Sequence, residues 1–302
     1  MDGHLLVTSA APERRSLPAY FYLDLGDTRR RASLLTLAVR DRKSTLATLK
    51  PEYARTIAQI TRAPLNTTGK PRVSTGDPIL RYGRARGLVD KSVHASKYSA
   101  KSRATATRRL RHGLLFLRLQ HPPLADLCDL LITDFLVWPS TKTGGGSTPK
   151  LLGFAWLVPR PALTSLDLAE DIVHEMVHLN LHLADMTFGL YTRDPGSYFE
   201  AHSAVLARRR PGYHAFHSAC VAVAMIYFRL LVGRHDELGP LRSSLRRCTS
   251  ELMRHRAAFT QHAWNAILGA HAFSRAPRLS KIPVHKDLTR PNRRHRSANL
   301  KG

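Results

Sequence analysis

Residues 168–185 read LAEDIVHEMVHLNLHLAD, and within them His174, Glu175, Met176, Val177 and His178 form an HExxH sequence. Apolar residues recur around the two histidines at Ile172, Val173, Met176, Val177 and Leu181, which predicts a helix with a buried face. On such a helix, histidines four apart lie one turn apart on one face. Both imidazoles can then grip a single divalent ion, with Glu175 beside a water that the ion activates. The chain has 16 His and 7 Glu; at independent positions they give about 0.02 chance matches, so coincidence is a weak explanation. His182 continues the series at the next turn and is expected to support the site rather than bind the ion.

Outward from this helix, Thr164 or Ser165 is expected to cap its start, with Asp167 favourable to the helix dipole, and the helix should run to about Ala184. Before it, FLVWPS (135–140) and LLGFAWLVP (151–159) read as strands, separated by the flexible turn STKTGGGSTPK (140–150). Upstream, residues 29–63 read as helical segments broken near Pro51, and 66–103 as a long basic loop or poorly ordered connection. A basic amphipathic helix follows over about 104–119, then a short apolar one from Leu124 to Leu131. Downstream, helices are expected around 198–207, 212–232 and 240–272, and the Pro-, Arg- and Lys-rich tail from Ser274 should be disordered.

A metal site with open positions needs a third protein ligand. Glu200 lies 22 positions beyond His178 and suits a helix-borne carboxylate; His217 lies 39 beyond, near the start of a strongly apolar helix. His202 and His214 are further candidates, and His214 shares a helical face with His217.

Charge divides the chain of 302 residues, which carries a net +25. Residues 1–111 hold 23 Lys and Arg against 8 Asp and Glu, and residues 273–302 hold 9 against 1. The stretch 112–272 holds 15 against 13, the balance of an ordinary folded domain. This suggests a basic helical region at 1–111, a metal-binding catalytic domain at 112–272 and a basic disordered tail at 273–302. The flanks would attract nucleic acid or acidic peptide. Cys128, Cys220 and Cys248 are too far apart for a zinc ribbon or a disulfide framework, and the beginning MDGHLLVTSAAPERR does not resemble a secretion signal. The expectation is a cytoplasmic chain without a membrane span.

These residues resemble the HExxH-containing peptide-modification proteins, the 2-oxoglutarate-dependent HExxH-type peptide β-hydroxylases of ribosomal-peptide natural-product pathways. The likeness covers roughly residues 125–272. It lies in a strand with a Ser/Gly-rich turn before GFAWLVP, the Leu-Ala-Glu lead-in to the HExxH helix, then Ser203, Arg210-Pro211 and His217 in similar order. The resemblance implies Fe(II) held by His174, His178 and His217, and 2-oxoglutarate and O2 as co-substrates for oxidising a peptide side-chain β-carbon. Glu175 would be the catalytic carboxylate. Arg210, or Arg208 in its place, would meet the distal carboxylate of 2-oxoglutarate, since a guanidinium recognises a carboxylate in bidentate fashion. The expected fold is α+β and mostly helical, with a zincin-like HExxH helix beside a small sheet.

Two other readings compete. In a zinc metallopeptidase, His174, His178 and Glu200 would hold Zn(II), Glu175 would activate water, and LLGFAWLVP would be the edge strand that binds extended substrate. In a basic nucleic-acid-binding protein, the metal site would be structural or a relic, and affinity would fall steeply with salt.

Overall fold

The computed structural model describes residues 21–36, 46–75, 81–82, 85, 99–137, 145–192, 199–235 and 238–276. The fold is α+β and mostly helical. Its helices are α1 (Leu25–Thr36), α2 (Leu46–Thr61), α3 (Ala100–Gln120), α4 (Pro122–Leu131), α5 (Ser165–Phe188), α6 (Gly212–Leu231), α7 (Leu238–Leu252) and α8 (Gln261–Arg275). The strands are β1 (Arg72–Ser74), β2 (Asp134–Val137), β3 (Gly145–Ser147), β4 (Phe154–Leu157), β5 (Glu200–His202) and β6 (Arg209–Pro211).

The helix that carries the HExxH sequence, α5, starts at a reciprocal cap. The Asp167 amide donates to Thr164 Oγ1 at 3.2 Å, and the Thr164 amide donates to Asp167 Oδ2 at 2.8 Å. It runs one turn beyond Ala184 and stops at Gly189, whose φ of 67° ends the helical path. Its buried residues, among them Leu168, Ile172, Met176, Leu179 and Leu183, lie all round the helix, so α5 is the axis of the core. Helices α1, α3, α4 and α6 pack against it. Asn180 fixes α1 and the preceding turn onto α5. It accepts from Arg31 at 2.6 Å and donates to Tyr22 O and Thr28 Oγ1, each at 2.7 Å.

One sheet has the order β1-β2-β4-β3, with β1, β2 and β4 parallel and β3 antiparallel to β4. The expected strand at 151–159 therefore sits inside the sheet, while the edge is β3, formed by the glycines that read as a flexible turn. β1 lies within the stretch expected to be a basic loop. Arg72 holds it to β2 through a 2.7 Å bond from Nε to the buried Asp134. β5 and β6 form a separate hairpin where a helix was expected at 198–207. Contacts from outside hold the segment in this form: the His202 amide donates to Glu251 Oε2 at 2.9 Å and the Val205 amide to Ser218 Oγ at 2.8 Å.

Other boundaries also differ. Pro51 lies inside α2, not at a break. The expected single helix at 240–272 is α7, a 3-10 turn at Met253–Ala258 and α8, because His255 leaves helical geometry at φ −120° and ψ 42°. The boundary drawn at 111 falls within α3, and residues from Tyr22 to Phe273 contribute to one apolar core. The tail expected to be disordered from Ser274 lies mostly outside the described residues, and its first two residues close α8. Helix α6 is 20 residues long with a mean hydropathy of 1.4, enough by length and composition to cross a bilayer, and it is mostly buried inside this fold. All three cysteines are free and buried.

Gly153 marks where α2 meets the sheet. Its φ is +79°, and a Cβ there would lie 2.5 Å from Ile57 Cδ1 and 2.9 Å from Thr133 Oγ1. Gly153→Ala therefore combines backbone strain with overpacking and should destabilise the fold by about 2–4 kcal/mol. A lowered urea midpoint with unchanged slope would report this; an unchanged midpoint would contradict the packing described.

Candidate metal centre

Helices α5 and α6 run antiparallel, and two ion pairs set their register. Glu170 is buried and accepts three bonds from Arg229, from Nε at 3.1 and 3.0 Å and from Nη2 at 2.6 Å. One turn earlier on α5, Asp167 accepts from Arg234 at 2.7 Å. Further along, the same register brings His217 of α6 against α5, with His178 Nδ1 and His217 Nδ1 3.3 Å apart.

The rings form a row. Centroids are 5.0 Å apart for His174 and His178, 5.5 Å for His178 and His217, and 5.1 Å for His182 and His217. His182 thus belongs to the cluster itself and touches His217 as closely as His178 does. Among the described residues, no group of three or more His, Cys, Asp or Glu is closed around one ion position. The imidazoles approach pairwise. Burial lowers the pKa of His174 and His182 to about 4 and pushes His178 and His217 well below the usual range, with neighbouring imidazoles adding to the effect. At neutral pH all four rings are uncharged and keep the nitrogen lone pairs that a metal needs.

Glu175, about 60° round α5 from His178, approaches β3. Its carboxyl is buried, Oε2 has no hydrogen-bond partner, and burial raises its pKa to about 8. Ser147 Oγ, on β3, is also buried without a hydrogen-bond partner, though it lies near enough to the carboxyl to oppose the shift. The glycines explain this close approach. A Cβ on Gly145 would lie 3.3 Å from Glu175 Oε1, and one on Gly146 would lie 2.1 Å from the Trp156 ring. Asp171, one turn before Glu175, is also raised, to about 6, by burial and by Glu170.

Glu200 is not brought to the histidines. It lies on β5 with its side chain 61% exposed, facing Arg209 at 3.9 Å. His202 is bound elsewhere, with Nε2 3.0 Å from Ser244 Oγ. His214 opens α6 near His182 and His217, and the charge of Arg210 helps to lower its pKa after burial. Arg210 is half-buried on β6 opposite Ala201, whereas Arg208 is exposed. Ser203 and Ser218 hydroxyls, 2.8 Å apart, fasten this hairpin to α6.

No family model and no curated protein matched the chain. The site is read from its own chemistry. The buried neutral imidazoles keep lone pairs that could take a divalent cation, and Glu175 Oε2 is a buried oxygen without a hydrogen-bond partner.

Sequence reasoning missed Ser147 and the edge strand beside Glu175. The signal was present in Gly144-Gly145-Gly146-Ser147, which reads equally well as a turn.

Glu175 and the histidines oppose each other in pH. The raised carboxyl costs stability as pH rises from its ordinary 4.5 toward about 8, because the unfolded chain releases a proton the folded one keeps. The histidines cost stability as pH falls from 6.5 toward about 4, where only the unfolded chain binds protons. In EDTA, Glu175→Gln should therefore raise the urea midpoint at pH 8 and leave it unchanged at pH 4. A midpoint lowered at pH 8 would contradict the assignment. His174→Gln should flatten the loss of stability between pH 6.5 and 4.

Proposed function

We propose that this chain is a metal-dependent peptide-modifying enzyme in which His174, His178 and His217 hold one Fe(II). The observation that carries the reading is the placement of His217, buried against His178, while the alternative carboxylate Glu200 faces solvent and Arg209. Three imidazoles leave positions open on an octahedral ion and suit Fe(II) as well as Zn(II). In this reading the architecture is zincin-like, with α5 beneath an antiparallel edge strand.

Fe(II), bound with 2-oxoglutarate and O2, would supply the oxidising power to convert a side-chain β-carbon C–H of a peptide to C–OH, releasing succinate and CO2. The chain's own residues do the rest. Arg210, half-buried at the entrance of α6, would receive the distal carboxylate of 2-oxoglutarate as a bidentate partner. Among the described residues β3 pairs only with β4, so its outer edge would offer backbone groups to an extended peptide. Glu175 sits beside that edge and, with its proton retained near neutrality, can donate it to a peptide carbonyl or release it when a cation is held nearby.

A zinc peptidase is the second reading. The buried Glu175 beside an unpaired strand favours it, because a carboxyl with a raised pKa is suited to moving protons in hydrolysis. The position of Glu200 supports neither ligand role nor proximity, so in this reading too His217 would be the third ligand.

Reconstitution with Fe(II) or Zn(II) in the absence of oxygen, followed by 2-oxoglutarate and O2, separates the two. The proposal expects succinate with Fe(II) alone, its loss in His217→Ala and at least a tenfold fall in Arg210→Ala, about 1.4 kcal/mol of transition-state stabilisation. Glu200→Ala should remain active. Absence of succinate, with peptide hydrolysis by the Zn(II) form, would replace the oxygenase by the peptidase. Zinc binding that survives His217→Ala and fails in Glu200→Ala would overturn the ligand set.

A further inference from the structure

Helix α3 presents a surface that the metal centre does not use. Alongside β1 lies a shallow groove of about 330 Å³, lined by Thr75, Arg103, Thr107, Arg108 and Arg111 together with two alanines. Three guanidinium groups share it, and among the described residues that line it none is acidic. Arg108 and Arg111 are exposed. Their neighbours on α3 are committed elsewhere: Arg109 donates to Pro161 O at 2.8 Å and to Leu163 O, and Arg118 pairs with Asp129 at 2.5 Å.

The same face changes character toward the C-terminus of α3. Ala104, Arg108, Arg111, Leu115 and Leu119 recur at helical spacing, so they form one stripe. Leu115 is 53% exposed and Leu119 66% exposed, which is unusual for leucines on a helix whose other face, at Leu110 and Leu117, is fully buried. From Arg108 to Leu119 the stripe spans about 16 Å, the length of a few residues of extended peptide.

We propose that this stripe binds an acidic peptide segment, with Arg108 and Arg111 taking carboxylates in the groove and Leu115 and Leu119 taking apolar side chains beside it. The charge of the groove would suit phosphates as well, and the two leucines decide between the partners. Nucleic acid is held by phosphate contacts and by stacking on aromatic rings, whereas this stripe continues beyond the arginines in two exposed aliphatic side chains, with the imidazole of His112 the one exposed ring beside it among the described residues of α3. A peptide that alternates carboxylates with aliphatic side chains matches both halves of the stripe.

The inference does not rest on the metal reading, and its test runs in EDTA so that failure of one leaves the other standing. Full-length chain is titrated against a short fluorescein-labelled Glu/Leu peptide, an oligo-Glu peptide of equal length and a labelled DNA duplex, and anisotropy is read at low and high salt. The Glu/Leu peptide should bind most tightly. The double variant Arg108→Glu, Arg111→Glu should weaken it about tenfold or more, as expected when several exposed ion pairs become repulsive. Leu115→Ser with Leu119→Ser should weaken the Glu/Leu peptide and leave oligo-Glu unchanged. Arg62→Glu with Arg254→Glu, a control of equal charge elsewhere, should retain peptide binding, and circular dichroism checks that each variant folds. Equal losses in the α3 and control variants would mean attraction to net charge alone and overturn the proposal. Tighter binding of the duplex, or no binding of the Glu/Leu peptide, would overturn it as well.

Discussion

The candidate site depends on the antiparallel contact between α5 and α6, and that contact is locked by the buried ion pair of Glu170 and Arg229. Three hydrogen bonds between one guanidinium and one carboxylate fix both distance and register. A slip of one turn would move His217 by about 5.4 Å along α5 and take it away from His178. A pair of this kind adds little net stability, because desolvation offsets the attraction, but losing one partner strands the other charge at a cost of about 3–5 kcal/mol. Its contribution is therefore to the register rather than to the strength of the fold. The apolar faces of α5 and α6, with Ile172, Met176, Phe216 and Val223 fully buried, supply the attraction that the pair aligns.

A second constraint acts from the sheet side. β3 can lie over α5 only because Gly145 and Gly146 have no side chains where Leu157, Trp156 and Glu175 already fill the space. The strand shields the Glu175 carboxyl from solvent and leaves its Oε2 without a hydrogen-bond partner, and burial then raises its pKa. The histidines of α5 are kept neutral by the same dryness that keeps the Glu175 carboxyl protonated. One environment thus sets the protonation of both kinds of group. Folding alone gains nothing from leaving a buried carboxyl oxygen unpaired, and such costs concentrate where function needs them.

Much of this was legible in the sequence. Long periodic segments such as those of α5 and α6 were readable because burial on several sides left continuous apolar runs, and the cap at Thr164 and Asp167 marked the start of α5. Short elements were not. β1 is three residues long and held by Arg72 to Asp134, a pairing across 62 positions that no local pattern announces. β3 was hidden because glycine and serine favour turns, and only the closeness of Trp156 shows why glycine is required. The hairpin β5–β6 was read as helix from YFEAHSAVLA, whose apolar spacing suits either form. Tertiary contacts decided it, among them the Ser203–Ser218 bond and the His202 amide on Glu251 at 2.9 Å. Of the candidate ligands, His174 and His178 follow from spacing. His217 was preferred to Glu200 on the family resemblance; that His217 lies against His178 while Glu200 faces Arg209 needed the fold.

Titration with Co(II), followed by visible absorption and by metal stoichiometry, tests the central claim most directly. The account predicts saturation at a single ion per chain, with a ligand-field spectrum that changes or disappears in His174→Ala, His178→Ala and His217→Ala and persists in Glu200→Ala. A spectrum unaltered by His217→Ala, or no stoichiometric binding by the unaltered chain, would contradict it.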